Sequence, residues 1–306
     1  MKTRKFTLLI LCVSTLASVL TFSGCAEERK PAYPMTITDG VGRTVSIPHE
    51  PERIVCLTPS SAEIVFAVGA GSRVVGVSEY TKYPPEAQEI TKIGSYANLN
   101  IEKITALEPH LLFADPYQEL AVERLENLGL AVIVLNHRSI EEIIGNIALA
   151  GKVIGQEKEA SSLAQSIETK IETIAAKTTN LKEAEKPKVL YLYEPIWVAG
   201  SGTLANSYIE KAGGINVAAD IQECQTMTLE TVIVRNPDVI LCVEGYAPTL
   251  DWVMNEPRLQ EVNALKNNRV YPIDADAVDC PGPRVGMALE LVAKCLYPEL
   301  FGTANE

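Results

Sequence analysis

The side chains most suited to chemistry in this chain are few and scattered. Its 306 residues include three histidines, His49, His110 and His137, whereas a zinc- or manganese-binding protein needs several histidines and carboxylates that converge. No HExxH, GxSxG or serine–histidine–aspartate pattern occurs. The sequence therefore predicts no catalytic residues, no metal site and no cofactor, and it favours a binding protein over an enzyme.

Aromatic side chains are the better candidates for a functional site. Six of them lie in or near loops that follow predicted strands: Tyr80, Tyr96, Tyr117, Tyr193, Trp197 and Tyr246. We expect Tyr193 to belong to the core. Amphipathic aromatic side chains around a cleft suit a large, flat, partly apolar ligand.

The segment "TPSSAEIVFAVGAG" predicts a helix that begins at the carboxyl end of a strand, the edge of an α/β sheet where ligands bind. Ser60 and Glu63 have the spacing of a capping box at the start of that helix. The glycines follow the helix and no GK[ST] follows them, so this is not a phosphate-binding loop.

Short β-rich segments alternate with helical patterns from Arg53 onward, which predicts α/β lobes with mainly parallel sheets. The predicted strands are "RIVCL", "RVVGVS", "LLFA" and "AVIVLN" in one lobe and "KVLYLY", "VILCV" and "RVYPI" in the other. Between them, residues 156–186 contain no glycine or proline and carry apolar residues at helical spacing. This pattern predicts a long, stiff amphipathic helix that joins the lobes, with an ordinary surface helix as the alternative.

Two segments of the chain repeat one pattern. "IEKITALEPHLLF" (101–113) and "LETVIVRNPDVIL" (229–241) each have a glutamate, a proline seven residues later and then an apolar strand. Glu102 and Glu230 take equivalent places near the start of a short helix. They either stabilise the helix N-terminus locally or form a paired docking face for a partner with two-fold symmetry.

The N-terminus has the features of an export signal. Lys2, Arg4 and Lys5 precede an apolar stretch of 17 residues, and small residues then lead to Cys25. This order is that of a lipoprotein signal, which predicts lipidated Cys25 as the new N-terminus and an extracytoplasmic protein anchored to the cell membrane. An ordinary signal with a coincidental cysteine is the alternative.

The formal charge of −12 argues against nucleic acid as a partner. Seven cysteines occur without a CxxC pair, so a structural zinc site is not expected. Cys56 and Cys242 lie in apolar strands, and a Cys224–Cys280 bridge stays open.

Three longer segments resemble one protein family. "PERIVCLTPSSAEIVFAVGAGSRVVGVSEYTKYPPEA", "IGSYANLNIEKITALEPHLLFA" and "CPGPRVGMALELVAKCLYPELF" are similar to the periplasmic substrate-binding proteins that serve ATP-binding-cassette importers of vitamin B12 and iron chelates. The resemblance covers residues 37 to 304. It implies two Rossmann-like α/β lobes joined by one long rigid helix, with ligand in the cleft, and one glutamate per lobe docked on arginines of a dimeric permease. Glu102 and Glu230 match those positions.

The resemblance is strongest to the cobalamin-binding members, through "VVGVSEYTKYPPEA". Tyr80 matches a tyrosine of the corrinoid cleft, Tyr96 stands where a tryptophan is found, and Asp115 and Cys224 stand near positions where aromatics are expected. Asp276 and Arg284 match polar positions near the cleft rim, although Arg284 could instead cap the last helix. Residues 38–55 resemble a β-hairpin that often opens iron-chelate binders, which favours another ligand.

The expected organisation is a signal peptide at 1–24, a tether and β-hairpin at 25–52, an N-terminal lobe at 53–150, a connecting helix at 151–186 and a C-terminal lobe at 187–306. The expected function is capture of a corrinoid and its delivery to the importer. A ferric siderophore or haem is the alternative ligand, and a chelatase-like enzyme with two similar lobes is the remote alternative. The predicted ligand-binding residues are Tyr80, Tyr96, Asp115, Tyr117, Trp197, Tyr246, Asp276 and Arg284.

Overall fold

The computed structural model describes residues 32–245 and 247–304. Cys25, the signal segment and Tyr246 lie outside the described residues. Within the described ranges, no helix has the length and apolar character needed to cross a bilayer.

The first half of the chain builds a parallel sheet covered by helices. Its strands are β1 (Met35–Thr38), β2 (Thr44–Ile47), β3 (Ile54–Cys56), β4 (Val74–Val77), β5 (Leu111–Ala114) and β6 (Val132–Val134). Its helices are α1 (Pro59–Ala67), α2 (Ile101–Ala106), α3 (Glu119–Asn127) and α4 (Ile140–Ile154). The strands β4-β3-β5-β6 form a four-stranded parallel sheet, and β1 and β2 form a separate antiparallel hairpin. Every residue of β3, β5 and β6 is buried, as expected where helices cover both faces of a sheet.

The second half builds a mixed sheet. Its strands are β7 (Lys188–Glu194), β8 (Trp197–Ala199), β9 (Ile215–Asn216), β10 (Cys224–Thr226), β11 (Val239–Glu244) and β12 (Val270–Asp274). Its helices are α6 (Leu204–Lys211), α7 (Leu229–Arg235), α8 (Thr249–Asn255), α9 (Asn263–Lys266), α10 (Ala275–Val278), α11 (Val285–Leu296) and α12 (Pro298–Phe301). The strands β9, β7, β11 and β12 run parallel, whereas β8 and β10 add an antiparallel edge. The predicted α/β fold with mainly parallel sheets in two lobes is confirmed.

One long helix, α5 (Glu157–Thr178), joins the halves. The segment 151–186 also contains the end of α4, which stops at Ile154 because Gly155 adopts the left-handed conformation that closes a helix. Ala160, Ile167 and Ile174 of α5 are buried and lie seven residues apart, so they form one apolar stripe.

A single apolar cluster continues through both lobes. It contains Ile64 and Phe113 of the first lobe, Ile167 of α5, and Tyr208 and Leu289 of the second lobe. The helices α4, α5, α6 and α11 pack on one another within this cluster. The lobes are therefore joined by a shared core as well as by the chain.

The shared core predicts that the lobes unfold together. Replacing Ile167 with alanine removes buried methyl groups from the stripe and leaves a cavity, so we expect the free energy of unfolding to fall by about 2–4 kcal/mol. Urea unfolding is followed by tryptophan fluorescence and far-UV circular dichroism, and the two curves should coincide. Exposed Glu168→Ala is the control and should change stability little; two separate transitions in the parent protein would contradict the shared core.

Candidate functional site

The candidate site lies where loops that follow the strands of the two sheets meet, a region that we call the cleft. Residues 78–84 follow β4 and residues 135–139 follow β6 on the first lobe. Side chains of these loops contact the second lobe, since Lys82 pairs with Asp276 and Arg138 pairs with Glu223. This is the edge at which ligands bind in α/β sheets.

Asp115 is a buried centre of hydrogen bonding at the end of β5. Its Oδ1 accepts hydrogen bonds from the Tyr96 hydroxyl at 2.5 Å and from the Tyr117 backbone N–H at 2.9 Å. Its Oδ2 lies 2.5 Å from Nε2 of His137. Because both oxygens are engaged by the protein, Asp115 positions these neighbours.

The Asp115–His137 pair is electrostatically coupled. Burial by itself would raise the pKa of Asp115. The hydrogen bond and charge of His137, together with the hydrogen bonds from the Tyr96 hydroxyl and the Tyr117 backbone N–H, outweigh burial and lower that pKa. Burial likewise lowers the pKa of His137, yet Asp115 outweighs it and the pKa of His137 is raised. His137 is the functional candidate that sequence reasoning missed; its position just after the "AVIVLN" strand was the available signal.

Four of the predicted aromatic residues have exposed side chains. The relative exposures are 55% for Tyr80, 36% for Tyr96, 67% for Tyr117 and 40% for Trp197. Burial, followed by the hydrogen bond to Asp115, raises the pKa of Tyr96 and keeps its hydroxyl a donor. Tyr193 is partly buried and its ring lies 5.3 Å from that of Tyr191. Exposed rings leave apolar area available for a ligand.

Ser60 and Glu63 do not form the capping box that their spacing predicted at the start of α1. Thr58 is the N-cap and Ser61 completes the capping box, because the Thr58 hydroxyl is the first that follows the strand. Glu63 lies on the buried face of α1, with 3% relative exposure. It accepts hydrogen bonds from Nε and Nη2 of Arg284 at 2.9 Å and 2.7 Å, which is a bidentate contact between the lobes.

Arg284 makes no side-chain cap on α11. Its Nη2 also donates to the backbone carbonyl of Asp276 at 3.0 Å, and the Tyr83 ring lies 5.2 Å from its guanidinium carbon. The hydrogen bond to Glu63 raises the pKa of Arg284. Arg284 therefore ties the rim of the second lobe to the first lobe.

The thiols of Cys224 and Cys280 are free, so the bridge between them is not formed. Cys280 donates a hydrogen bond to Glu63 Oε1 at 3.2 Å. Cys224 is half-buried, and burial raises its pKa to about 11. Neither thiol has the lowered pKa of a reactive cysteine, and within the described ranges no three His, Cys, Asp or Glu side chains form a metal-binding group.

A family comparison identifies this architecture. The family model described as periplasmic binding protein matches residues 54–277. The chain belongs to this family.

Individual relatives span nearly all of the chain. An uncharacterized ABC transporter substrate-binding lipoprotein of Bacillus subtilis, YvrC, is 32% identical and the match covers 90% of each chain. A vitamin B12-binding protein of Vibrio cholerae is 29% identical over 82% of this chain and 90% of its own length.

Solved structures agree with these matches. The vitamin B12-binding protein BtuF of Vibrio cholerae superimposes with a TM-score of 0.70 and 28% identity, over 81% of this chain and 98% of that one. The haem-binding protein RhuT of Roseiflexus sp. RS-1, in apo form, has a TM-score of 0.70 and 30% identity, over 80% and 98%.

The repeated glutamates lie on matched elements of this binding-protein fold. Glu102 is in the first turn of α2, behind the N-cap Asn100, and α2 leads into β5. Glu230 is in the first turn of α7, behind the N-cap Thr228, and α7 leads into β11. Both side chains are exposed.

The glutamates differ in their neighbours. Glu230 lies 3.5 Å from Arg258, whereas no cation of the described chain lies within ion-pair distance of Glu102. Each glutamate lies in the first turn of its helix, where the helix dipole favours a negative charge.

The Asp115–His137 pair predicts a pH dependence of stability. The pKa of His137 is raised in the folded protein. The contribution of its pairing with Asp115 to the free energy of unfolding is therefore fully present below about pH 6.5, and it is lost as pH rises through the raised pKa. We expect His137→Gln to lower the free energy of unfolding by about 1.5–3 kcal/mol at pH 6 and by much less at pH 9. Urea unfolding of the parent protein and the variant between pH 6 and pH 9 measures this loss, and His49→Gln at an exposed histidine is the control. A loss of the same size at every pH would refute the electrostatic coupling of Asp115 and His137.

Proposed function

We propose that this protein is the lipid-anchored, extracytoplasmic solute-binding component of an ABC importer, and that it captures a corrinoid in the cleft. The observation that carries the proposal is the set of exposed aromatic rings, Tyr80, Tyr96, Tyr117 and Trp197, which come from both lobes. The relatives named for vitamin B12 or cobalamin binding support the choice of ligand.

Capture would depend on apolar contact between these rings and the face of the macrocycle. Such contact is worth most where the rings are held in place before binding. Asp115 holds two of these tyrosines in place at the cleft floor, because it accepts hydrogen bonds from the Tyr96 hydroxyl and the Tyr117 backbone N–H. No covalent step is required, so we assign no enzymatic activity.

Asp276 and Arg284 would act at the rim of the cleft. Arg284 uses Nε and Nη2 within the protein, which leaves Nη1 as the donor for a ligand. Asp276 is exposed and carries one ion pair, to Lys82. Tyr246, which lies outside the described residues, stays a predicted contact from the second lobe.

The assembly that we propose has two attachments. Cys25, lipidated, would hold the protein at the membrane surface. Glu102 and Glu230, one on each lobe, would dock onto cationic side chains of a dimeric permease, because a matched pair of exposed carboxylates suits a partner with two-fold symmetry. The domain limits expected from the sequence, 53–150, 151–186 and 187–306, remain part of this proposal.

A haem or ferric siderophore is the second candidate ligand. The observation that favours it is the Tyr96, Tyr117 and His137 group at the cleft floor, since hydroxyl and imidazole groups suit iron. The structural likeness to RhuT agrees with haem, and the β1–β2 hairpin agrees with an iron chelate.

The deciding measurement is a ligand titration. Cobalamin, cobinamide, haem and a ferric hydroxamate are added to the protein, tryptophan fluorescence is followed, and calorimetry gives the affinity. We expect sub-micromolar corrinoid binding (about −8 kcal/mol or stronger), with haem and siderophore silent. Tight binding of an iron chelate alone would keep the transport role and reject the corrinoid.

Two tyrosine variants locate the site. Tyr80→Ala and Tyr96→Ala should each weaken corrinoid binding about tenfold through lost ring contact. Phe301→Ala, on α12 and partly buried, is the matched control. Unchanged affinity in both tyrosine variants would place the ligand elsewhere.

Docking is tested separately from ligand capture. The double change Glu102→Ala and Glu230→Ala should abolish permease binding and uptake while ligand affinity stays normal, because neither glutamate is among the predicted ligand contacts. Vesicles that contain the permease measure uptake, and the double change Glu168→Ala and Glu172→Ala on α5 removes the same charge elsewhere. Intact uptake with normal ligand affinity would reject docking through these glutamates.

A further inference from the structure

Two ion pairs at the rim of the cleft each join a side chain of the first lobe to one of the second lobe. Nζ of Lys82, on the first lobe, lies 2.6 Å from a carboxylate oxygen of Asp276 on the second lobe. An Nη atom of Arg138, on the first lobe, lies 2.8 Å from a carboxylate oxygen of Glu223 on the second. All four side chains are exposed by about half or more. A ligand that enters the cleft therefore meets cations that already have a carboxylate partner.

The deeper cations are neutralised in the same way. Arg284 binds both oxygens of Glu63, and His137 binds Asp115. Across the described part of the cleft, the basic side chain of each of these four pairs faces one carboxylate. An anionic ligand that binds one of these basic side chains would lie beside the resident carboxylate, which repels it.

The candidate ligands differ in the charge at their edges. Haem has two propionates and a ferric catecholate is a polyanion, whereas the corrin ring of cobalamin is edged by uncharged carboxamides. A carboxylate beside a paired lysine must compete with the resident carboxylate, and an unpaired charge that loses water is costly. A carboxamide offers a donor and an acceptor, so it can bond to both members of an intact pair.

We propose that the Lys82–Asp276 and Arg138–Glu223 pairs select, at the cleft rim, ligands edged by uncharged carboxamides over ligands edged by carboxylates. This inference rests on the proposed function, because it concerns the same cleft. It adds Lys82, Arg138 and Glu223 as specificity-determining residues.

The test compares two corrinoids that share a ring. Dicyanocobyrinic acid has carboxylate side chains and its heptaamide has carboxamides. The purified full-length protein is titrated with each, and the ratio of the two dissociation constants is the readout. We expect the heptaamide to bind at least about tenfold more tightly, since one charge-assisted hydrogen bond is of that order.

Variants that remove a resident carboxylate should weaken or abolish this preference. Asp276→Asn and Glu223→Gln are nearly isosteric and leave Lys82 and Arg138 without a charged partner. Each should shift the ratio about tenfold toward the acid, and the shift should shrink as salt is added because the freed cations are exposed.

Glu290→Gln is the matched control. Glu290 pairs with Lys170 between α11 and α5, and its side chain has an exposure of 41%, against 45% for Glu223. The substitution changes the net charge by the same amount, so it should leave the ratio as in the parent protein.

Three results would overturn the inference: equal binding of acid and amide by the parent protein, an unchanged ratio in both carboxylate variants, or an equal shift in Glu290→Gln. If no corrinoid binds, the proposed ligand is wrong, and the same ratio is measured with haem and its bis-amide. Preference for the bis-amide then supports the charge rule, and preference for haem rejects it.

Discussion

The apolar cluster that contains Ile64 of the first lobe, Ile167 of α5 and Leu289 of the second lobe sets the distance between the two sheets. Protein cores are close-packed and resist deformation, so the cleft takes its width from helices that lie behind it. The loops that follow the strands then need only provide the side chains that contact a ligand. This division explains why exposed rings can stay in place without a ligand to hold them.

Polar contacts also hold the two lobes in position on the solvent side of the apolar cluster. Glu63 and Arg284 form a bidentate pair at the buried end, and Asp115 fixes its neighbours on the first lobe. A buried carboxylate without a partner is strongly unfavourable, which makes the position of Arg284 a condition of the fold. The rim pairs are more exposed and contribute little stability, and the role that we propose for them is in recognition.

Much of the architecture could be predicted from the sequence. The seven predicted strand segments all contain strands. The repeated apolar–Glu–x–apolar pattern, with a proline seven residues after the glutamate, marks α2–β5 and α7–β11, because local periodicity carries that information. The Glu63–Arg284 contact joins residues 221 positions apart, and no local pattern encodes such a pairing. The strands β8 and β10 are three residues each, as are β3 and β6. β3 and β6 lie in continuous apolar segments, whereas β10 is largely polar and carries no such signal. His137 was missed because its role depends on its contact with Asp115, which follows the neighbouring strand β5 and is 22 residues away in the sequence.

The Glu63–Arg284 contact has a consequence for biogenesis. Chains are made from the N-terminus, and domains generally fold in that order. A nascent chain that ends before Arg284 contains α1 and the whole first sheet, yet Glu63 lacks the guanidinium that neutralises it in the finished molecule. The first lobe is therefore electrostatically incomplete until the last helices are synthesised. A buried carboxylate without its partner is strongly unfavourable, so we expect the first lobe to reach its full stability only when the helices that follow Arg284 are in place.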